Sequence, residues 1–272
     1  MAIDITAPRP VQFTIGRALR DTFDIFRSNF LGFTAVGILA HLPRLLIPRP
    51  SGEQIVRSLG HFDWSVQIVL PLVGLVMASL VQAAVIFGTL QNLRGQKASL
   101  NDMGHGLSFV PLLIIAGAVI AFPSWIALMI NSMLGGSLLT MGLVQAVFGL
   151  VSLVLYVMCW VSAPAIAVER NGVLAGLARS AQLTKGRRWS IVGLLILFGL
   201  VGSGAGLVIA KLGGPTLAEL GRMGPTTFAG IALFVVTAWV SVLRSVLITV
   251  GYYHLRTEKE GFGIEEVARI FE

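Results

Sequence analysis

The feature that most constrains this chain is a series of long apolar runs, each close to the length needed to cross a bilayer. About 20 helical residues at ~1.5 Å per residue span a hydrocarbon core of ~30 Å. The runs predict six transmembrane helices, at residues 30–46, 66–90, 107–130, 138–166, 190–210 and 226–254. His41, Pro43 and Arg44 interrupt the far end of the first run, which predicts a tilted or half-broken helix there.

Composition supports the same fold class. Only 12% of the residues are charged and the mean hydropathy is +0.84, whereas soluble domains carry about 25% charge. We therefore predict an all-α membrane protein with one polytopic domain over residues 1–272 and a cytoplasmic tail at 255–272. The net charge of +7 does not indicate a nucleic-acid partner, because the bases cluster between apolar runs instead of forming a solvated face with aromatic residues.

The distribution of Lys and Arg predicts the orientation of the chain. Fourteen of these residues lie in segments on the N-terminal side of the membrane, five lie on the opposite side, and Arg244 lies inside the sixth run. Basic loops are retained on the cytoplasmic side of a membrane. Both termini are therefore predicted to be cytoplasmic, and the N-terminal stretch MAIDITAPRPVQF lacks the apolar core of a cleaved signal peptide.

The most basic segment between the runs is residues 169–190, ERNGVLAGLARSAQLTKGRRWS. The predicted interfacial residues are four of its five bases and the tryptophan at the mouth of the fifth run: Arg179, Lys185, Arg187, Arg188 and Trp189. Each Lys or Arg near an anionic lipid surface contributes about 1 kcal/mol, and Trp favours the headgroup level. We predict that this segment is an amphipathic interfacial helix that lies on anionic lipid headgroups.

Comparable segments precede the first and third runs. They read GRALRDTFDIFRSNFLGF and KASLNDMGHGLSFVPLL. Aligned on Leu19, Leu100 and Leu177, the three segments suggest a threefold repeat of one interfacial helix plus two spans, which gives three helical hairpins. Independent convergence on an amphipathic helix followed by a span would produce the same pattern.

Helical spacing predicts one apolar face in the first and third segments. The predicted faces are Ile15, Leu19, Phe23, Phe26 and Phe30 in the first, and Leu174, Leu177, Ala178 and Ala181 in the third. In the middle segment Ser99 and Asp102 form a predicted capping box. Gly104 and Gly106 weaken any helix that continues beyond it.

The sequence shows no constellation for catalysis or for a metal. The four histidines, His41, His61, His105 and His254, are scattered without an i, i+4 pair. The single cysteine, Cys159, lies in an apolar run and is interpreted as a core residue. The carboxylates of the C-terminal tail are interpreted as a solvated helix face. We therefore predict no enzymatic activity, no cofactor and no metal.

One charged residue lies within a predicted span. Arg244 precedes His254 by ten residues, which is about 15 Å along a straight helix. An intramembrane arginine costs at least ~2.5 kcal/mol on insertion scales and needs a partner. No run contains a carboxylate, so the candidate anion site, lipid site or polar contact within the bundle combines Arg244 with Gln82 and Gln145. Further candidate partners are Asn131 and the carbonyls freed near Pro123 and Pro164.

Three segments carry a resemblance to a known family: GRALRDTFDIFRSNF, ERNGVLAGLARSAQLTKGRRWSIVGLL and VGYYHLRTEKEGFGIEEVA. They resemble the membrane domain of glycerophosphoryl diester phosphodiesterases and its stand-alone bacterial relatives of unknown function. Residues that match the family's closing motif are Tyr252, Tyr253, Arg256 and Lys259-Glu260-Gly261. The resemblance implies a multi-pass protein of the bacterial cytoplasmic (inner) membrane. In the family's enzymes the hydrolytic chemistry belongs to a separate soluble barrel, which we expect this chain to lack.

These observations favour a non-catalytic membrane module that interacts with lipid, chiefly anionic headgroups, or acts as a scaffold or accessory protein. A protein partner or a homo-oligomer is a further candidate. The alternative is a small-molecule or lipid transporter of permease type, which requires a polar path for which the runs offer few side chains. An intramembrane enzyme would need a nucleophile, a base and an orienting group, and we find no such set in the sequence.

The basic segment provides a direct test. A peptide covering residues 174–189 is expected to bind liposomes more strongly as the fraction of anionic lipid rises and more weakly as salt is added, because the attraction is electrostatic. Vesicle sedimentation over a series of lipid compositions and salt concentrations measures this. Binding that responds to neither variable would contradict an electrostatic contact with the membrane surface.

Overall fold

The computed structural model of the chain describes residues 12–47, 63–134, 138–170, 172–213 and 228–261, and no strand occurs among them. The α-helices in chain order are α1 Ile15–Ser28, α2 Phe30–His41, α3 Pro43–Leu46, α4 Leu70–Leu93, α5 Leu100–His105, α6 Val110–Leu134, α7 Leu138–Met158, α8 Ser162–Glu169, α9 Val173–Thr184, α10 Arg188–Gly213 and α11 Phe228–Glu260. A π-helical turn, Ser65–Val69, leads into α4, and a 3-10 turn, Gly106–Phe109, joins α5 to α6. The predicted all-helical fold class is confirmed.

Several of these helices have the length and composition of membrane spans. Four described stretches are long and apolar enough to cross a bilayer: Ser65–Leu93, Leu100–Met133, Leu139–Glu169 and Gly230–Glu260. Two bent pairs would raise the number to six if each pair is one span: Ile15–Ser28 with Phe30–Leu45, and Val173–Thr184 with Arg188–Gly204. Only between 22% and 33% of the apolar window in each long helix is buried inside the chain. Outward-facing apolar surface of this extent is typical of a membrane protein.

The helices extend beyond several predicted spans. The run at 107–130 belongs to a continuous helical stretch that starts at Leu100, and α11 continues past the predicted span end to Glu260. The start of the predicted tail is therefore helical, and residues 262–272 of that tail lie outside the described residues. The predicted interruption of the first span occurs at Leu42, between α2 and α3.

α1 and α9 lie nearly perpendicular to the helices that follow them. α1 meets the next helix at 90° and α9 does so at 99°. At the first bend the side-chain amide of Asn29 donates to the Ile25 carbonyl at 3.0 Å, and its Oδ1 accepts from the Ala98 N–H at 3.1 Å. At the second bend Gly186 has a φ of 89°, a left-handed conformation that glycine adopts without strain.

The bundle buries small and polar residues of α1 and α9. The buried positions are Ala18, Thr22 and Ile25 in α1 and Gly176, Ser180, Leu183 and Thr184 in α9. Phe23 and Leu174, which belong to the predicted apolar faces, are 54% and 78% exposed. The predicted apolar faces are therefore divided: Leu19, Phe26 and Leu177 pack against the core, whereas Phe23 and Leu174 point away from it, where a bilayer would cover them.

The alignment of Leu19 with Leu177 also matches the positions at which the helices begin. It matches the first residues of α1 and α9, Ile15 with Val173, and the first residues of the helices that follow, Phe30 with Arg188. The middle segment differs, because α5, the 3-10 turn and α6 continue in line as one stretch. A surface helix like α1 or α9 is therefore not found there.

The tertiary core is centred on α4 and α11. Its buried apolar residues include Val81, Ala83, Val85 and Ile86 of α4 and Val242, Val246, Ile248 and Val250 of α11. At one end of the bundle, α1 and α9 meet the last turns of α4, α8 and α11, and we term this the basic end. Two contacts that define it join Phe13 N to Glu258 Oε2 at 2.8 Å and Asn92 Nδ2 to Ser28 Oγ at 2.9 Å.

The predicted capping box of the middle segment is confirmed, and Gly106 just beyond it permits a close helix contact. A Cβ at position 106 would lie 2.1 Å from the carbonyl oxygen of Ala83. Because that oxygen belongs to the backbone of α4, no side-chain rotation relieves the overlap.

We predict that Gly106→Ala lowers the free energy of unfolding by about 1–3 kcal/mol, the usual cost of overpacking. Denaturant titration of the purified protein in detergent measures it. Gly104→Ala is the matched control, because nothing lies within 4 Å of a Cβ at that position. Equal losses of stability in the two variants would contradict the close approach.

Candidate functional site

Arg244 lies midway along α11. At ~1.5 Å per residue it is about 24 Å from either end of the helix, and therefore inside the hydrocarbon of a bilayer that the helix crosses. Its side chain is exposed, and its guanidinium carbon lies 5.3 Å from the centre of the Tyr156 ring. This is a cation–π contact. No hydrogen bond or ion pair joins Arg244 to another residue in the described part of the chain.

Arg244 lines a cavity of about 480 Å³ between α4, α6, α7, α8 and α11. The wall is largely apolar, and its polar members besides Arg244 are Gln82, Ser79, Ser124, Ser152, Tyr156, Cys159 and Ser162. No carboxylate occurs among the described residues of the wall. Small-molecule sites in proteins have volumes of about 300–1,000 Å³ and this same mixture of apolar wall and few polar groups. We term this space the Arg244 cavity.

Two of the three predicted site residues, Arg244 and Gln82, line the cavity, and the third, Gln145, does not. Gln82 lines the same space as Arg244. Gln145 does not line it: its side chain is exposed on α7, one helical turn before Gly149 of the wall. Arg244 contacts Tyr156, eleven residues beyond Gln145 on α7, so Gln145 lies about 16 Å along the helix from the level of the guanidinium.

Sequence reasoning missed the hydroxyl groups of the wall. Ser124 of α6 and Ser152 of α7 share a hydrogen bond of 2.7 Å between their Oγ atoms. A turn between α7 and α8 divides the fourth run and places half-buried Cys159 and buried Ser162 in the wall. Cys159 was expected in the core. The available signal for a polar face was the spacing of three to four residues between Ser152, Tyr156, Cys159 and Ser162.

The chemistry available in the Arg244 cavity is recognition of an anion with an apolar body. The Arg244 guanidinium offers five N–H donors, and the hydroxyls donate or accept. The wall contains no His, Asp, Glu or Lys among its described residues. A nucleophile such as Ser79 or Cys159 would therefore have no general base beside it.

The predicted interfacial bases divide into paired and exposed groups. Arg179 and Arg187 are held by carboxylates. Lys185 is exposed, Trp189 is 87% exposed, and Arg188 is half-buried. Among these five predicted residues, Lys185 and Trp189 are therefore the most open to a membrane surface.

Arg179 belongs to a closed ring of side chains that joins α8, α9 and α11. We term it the ionic ring, and its members in order are Glu169, Arg179, Glu260, Arg256 and Tyr252. Arg179 Nε donates to both oxygens of Glu169, at 3.0 and 3.1 Å, and its terminal nitrogen contacts Glu260. Two charges of each sign make the ring neutral.

Tyr252 and Arg256 close the ring from the other side. Arg256 Nε donates to Glu260 Oε2 at 3.0 Å, and its Nη1 donates to the Tyr252 hydroxyl oxygen at 2.9 Å. The Tyr252 O–H donates to Glu169 Oε1 at 2.8 Å. Tyr252, Arg256 and Glu260 follow one another at intervals of four, so they share one face of α11.

The tail carboxylates are predicted from the sequence to be solvated, and for Glu258 and Glu260 this is wrong. Glu260 is in the ionic ring. Glu258 accepts from Arg187 Nε at 3.0 Å and from the Phe13 N–H at 2.8 Å. The regular spacing in α11 was a usable signal for a polar face, but the partners come from distant parts of the chain that only the fold brings near.

Another polar contact joins α1 to α11. His254 Nε2 lies 2.9 Å from Asp21 Oδ2. No group of three or more His, Cys, Asp or Glu side chains that could hold a metal occurs within the described ranges.

Comparison with known proteins gives no assignment. A scan against protein-family models, a search of curated proteins and a search of solved structures each found no match to this chain. Functional inference therefore depends on the residues and their geometry.

The ionic ring predicts strong coupling between Glu169 and Arg179. In a double-mutant cycle of Glu169→Gln and Arg179→Gln, we expect an interaction energy of about 0.5–3 kcal/mol, the range for residues within one network. The free energies of unfolding of the four proteins give this value. The control cycle replaces Arg179→Gln with Arg20→Gln, because Arg20 is exposed on α1. Equal coupling in both cycles would contradict the ring.

Proposed function

We propose that this chain is a non-catalytic multi-pass protein of the bacterial inner membrane that binds an anionic amphiphile, such as a phospholipid or a fatty acid, in the Arg244 cavity. One observation carries the proposal. Arg244 is an exposed cation in an intramembrane cavity that has no carboxylate among its described wall residues.

Magnitudes favour a ligand over an isolated arginine. Placing Arg at mid-membrane costs at least ~2.5 kcal/mol, and a cation–π contact such as that with Tyr156 returns about 0.5–2 kcal/mol. A hydrogen bond to a charged group contributes about 1.5–3 kcal/mol. An anion bound to Arg244 therefore offsets the remaining cost, while the apolar wall covers the rest of an amphiphile.

The proposal includes six spans with both termini in the cytoplasm and with α1 and α9 as amphipathic helices on the cytoplasmic surface. The excess of Lys and Arg on that side supports the orientation. The contact between Phe13 and Glu258 supports a common side for the two ends of the described chain. Exposed Phe23 and Leu174 would reach the acyl chains, and exposed Lys185 would reach the headgroups.

We also propose that the first and third segments are copies of one structural unit. The shared helix starts and the shared buried positions support this, since Ala18, Thr22 and Ile25 align with Gly176, Ser180 and Leu183. The middle copy would have lost its bend and kept its buried contact through Gly106.

A relation to the membrane domain of glycerophosphoryl diester phosphodiesterases is retained as a hypothesis. Three residues that match its closing motif, Tyr252, Arg256 and Glu260, are members of the ionic ring. This gives the motif a structural role that requires no catalysis.

The alternative function is transport of a lipid or small molecule. The depth of the Arg244 cavity favours it, because carriers bind their substrates near the bilayer midplane. Flux of a labelled anionic lipid or solute in proteoliposomes that Arg244→Gln abolishes would establish transport. Binding without flux would support the non-transporting module.

We predict that purified wild-type protein retains anionic lipid and that Arg244→Gln retains it at least about tenfold less, because the variant loses a charged hydrogen bond. Native mass spectrometry in a mild detergent measures the bound fraction. Arg20→Gln is the charge-matched control on the surface of α1 and should retain lipid like wild type. Equal retention by Arg244→Gln and wild type would overturn the proposal.

A further inference from the structure

A second cavity, of about 270 Å³, opens at the basic end of the bundle. Its described lining residues come from α4, α5 and the residues that follow α4 and α8: Phe87, Leu90, Gln91, Arg94, Asp102, His105 and Arg170. It shares none of these with the Arg244 cavity. The sequence patterns pointed to no site here, because the residues come from three separate segments.

We propose that this basic-end cavity binds a phosphate ester whose other end carries N–H donors, as in an ethanolamine phosphate headgroup. The inference is independent of the Arg244 cavity. It rests on the two cations and the two acceptors that line the same cavity.

The phosphate would be held by Arg94 and Arg170, which both line the cavity. Guanidinium groups match the oxygens of a phosphate in charge and in bidentate geometry. Arg170 has a φ of 50°, which is uncommon for a residue other than Gly, Asn or Asp. Arg170 is exposed and lines the cavity, although glycine would adopt its backbone conformation more easily.

His105 adds a third nitrogen group to the wall. Its Nδ1 lies 2.9 Å from the Asn101 carbonyl oxygen. A carbonyl accepts only, so Nδ1 carries a proton and the other ring nitrogen, Nε2, is left for a ligand.

Gln91 and Asp102 offer the oxygen atoms that would accept hydrogen bonds from the N–H donors of the ligand. Gln91 Oε1 is buried and has no hydrogen-bond partner among the described residues, which is a costly state for a carbonyl oxygen. Asp102 Oδ2 accepts from the Ser99 N–H at 3.3 Å and from the Ser99 O–H at 2.7 Å, and Oδ1 is left for another donor. An inorganic anion would be repelled by Asp102, whereas an ammonium group satisfies both acceptors.

The volume fits a headgroup. A cavity of 270 Å³ lies just below the range of about 300–1,000 Å³ that holds whole small-molecule ligands. Two sources offer the same chemistry, a phospholipid of the bilayer and a soluble phosphate ester of the cytoplasm.

The test compares two short-chain lipids on the full-length protein after delipidation in detergent. Dioctanoyl phosphatidylethanolamine and dioctanoyl phosphatidylcholine carry the same phosphate, but only the first has N–H donors. Titration calorimetry is expected to show at least about tenfold tighter binding of the ethanolamine lipid, the effect of one hydrogen bond to a charged group. Soluble O-phosphoethanolamine is the third probe. Binding as tight as that of the lipid identifies a soluble ester, and weaker or absent binding beside tight lipid binding identifies the membrane headgroup.

Variants test the cations and the acceptors of the cavity separately. Arg170→Asn keeps a residue that tolerates the left-handed conformation and should weaken binding of both lipids about tenfold. Gln91→Leu should reduce binding of the ethanolamine lipid to the choline level and leave choline binding unchanged. Arg20→Gln and Arg244→Gln should retain the full preference, so that failure here is distinct from failure at the Arg244 cavity. Equal affinity of wild type for the two lipids, or wild-type binding by Arg170→Asn, would overturn the proposal.

Discussion

The ionic ring is the interaction on which the arrangement of the bundle depends. Polar groups in or near a bilayer must be satisfied within the protein, because lipid tails offer no hydrogen bonds. Glu169, Arg179, Glu260, Arg256 and Tyr252 meet this requirement together and tie α8, α9 and α11 at one end. The ring holds α9 across the bundle, so the chain enters α10 at a sharp angle, and it fixes the position of α11.

Arg244 lies on the same helix as three of the five members of the ionic ring and differs from the ring arginines in its surroundings. Arg179 and Arg256 each contact carboxylates, while Arg244 contacts the face of Tyr156 and lines an open cavity. Unlike the ring arginines, Arg244 has no carboxylate beside it among the described residues of its cavity. This contrast is the physical reason for assigning Arg244 to a ligand.

The helical class and the approximate spans could be predicted from the sequence, because apolar runs of bilayer length admit few other structures. The capping box of Ser99 and Asp102 was also predictable, since its contacts are local. The exact ends of the helices, and the rotation of each helix about its own axis, could not be predicted. α11 reaches Glu260 because ring contacts stabilise its last turns, and the buried faces of α1 and α9 are set by close packing that favours small residues such as Ala18 and Gly176 over Phe and Leu.

The candidate site could be predicted only in part, because local sequence patterns do not report contacts between distant parts of the chain. An arginine in an apolar run is visible in any hydropathy plot, and Gln82 at a similar depth is a natural partner. The cavity itself depends on the turn between α7 and α8 and on helix contacts distant in sequence, which no local pattern reports. The partners of Glu258 and Glu260 also come from distant parts of the chain and could not be predicted from local patterns. The same holds for Gln91, Asp102 and Arg170, which line one cavity but lie in separate segments.

The most direct measurement of the central claim is an experimental structure of the protein in nanodiscs that contain anionic lipid. Binding of an anionic amphiphile at Arg244 predicts density for an elongated molecule in the Arg244 cavity, with an anionic oxygen about 2.7–2.9 Å from the guanidinium nitrogens. An Arg244 side chain hydrogen-bonded to protein groups, beside a closed or water-filled cavity, would contradict the claim.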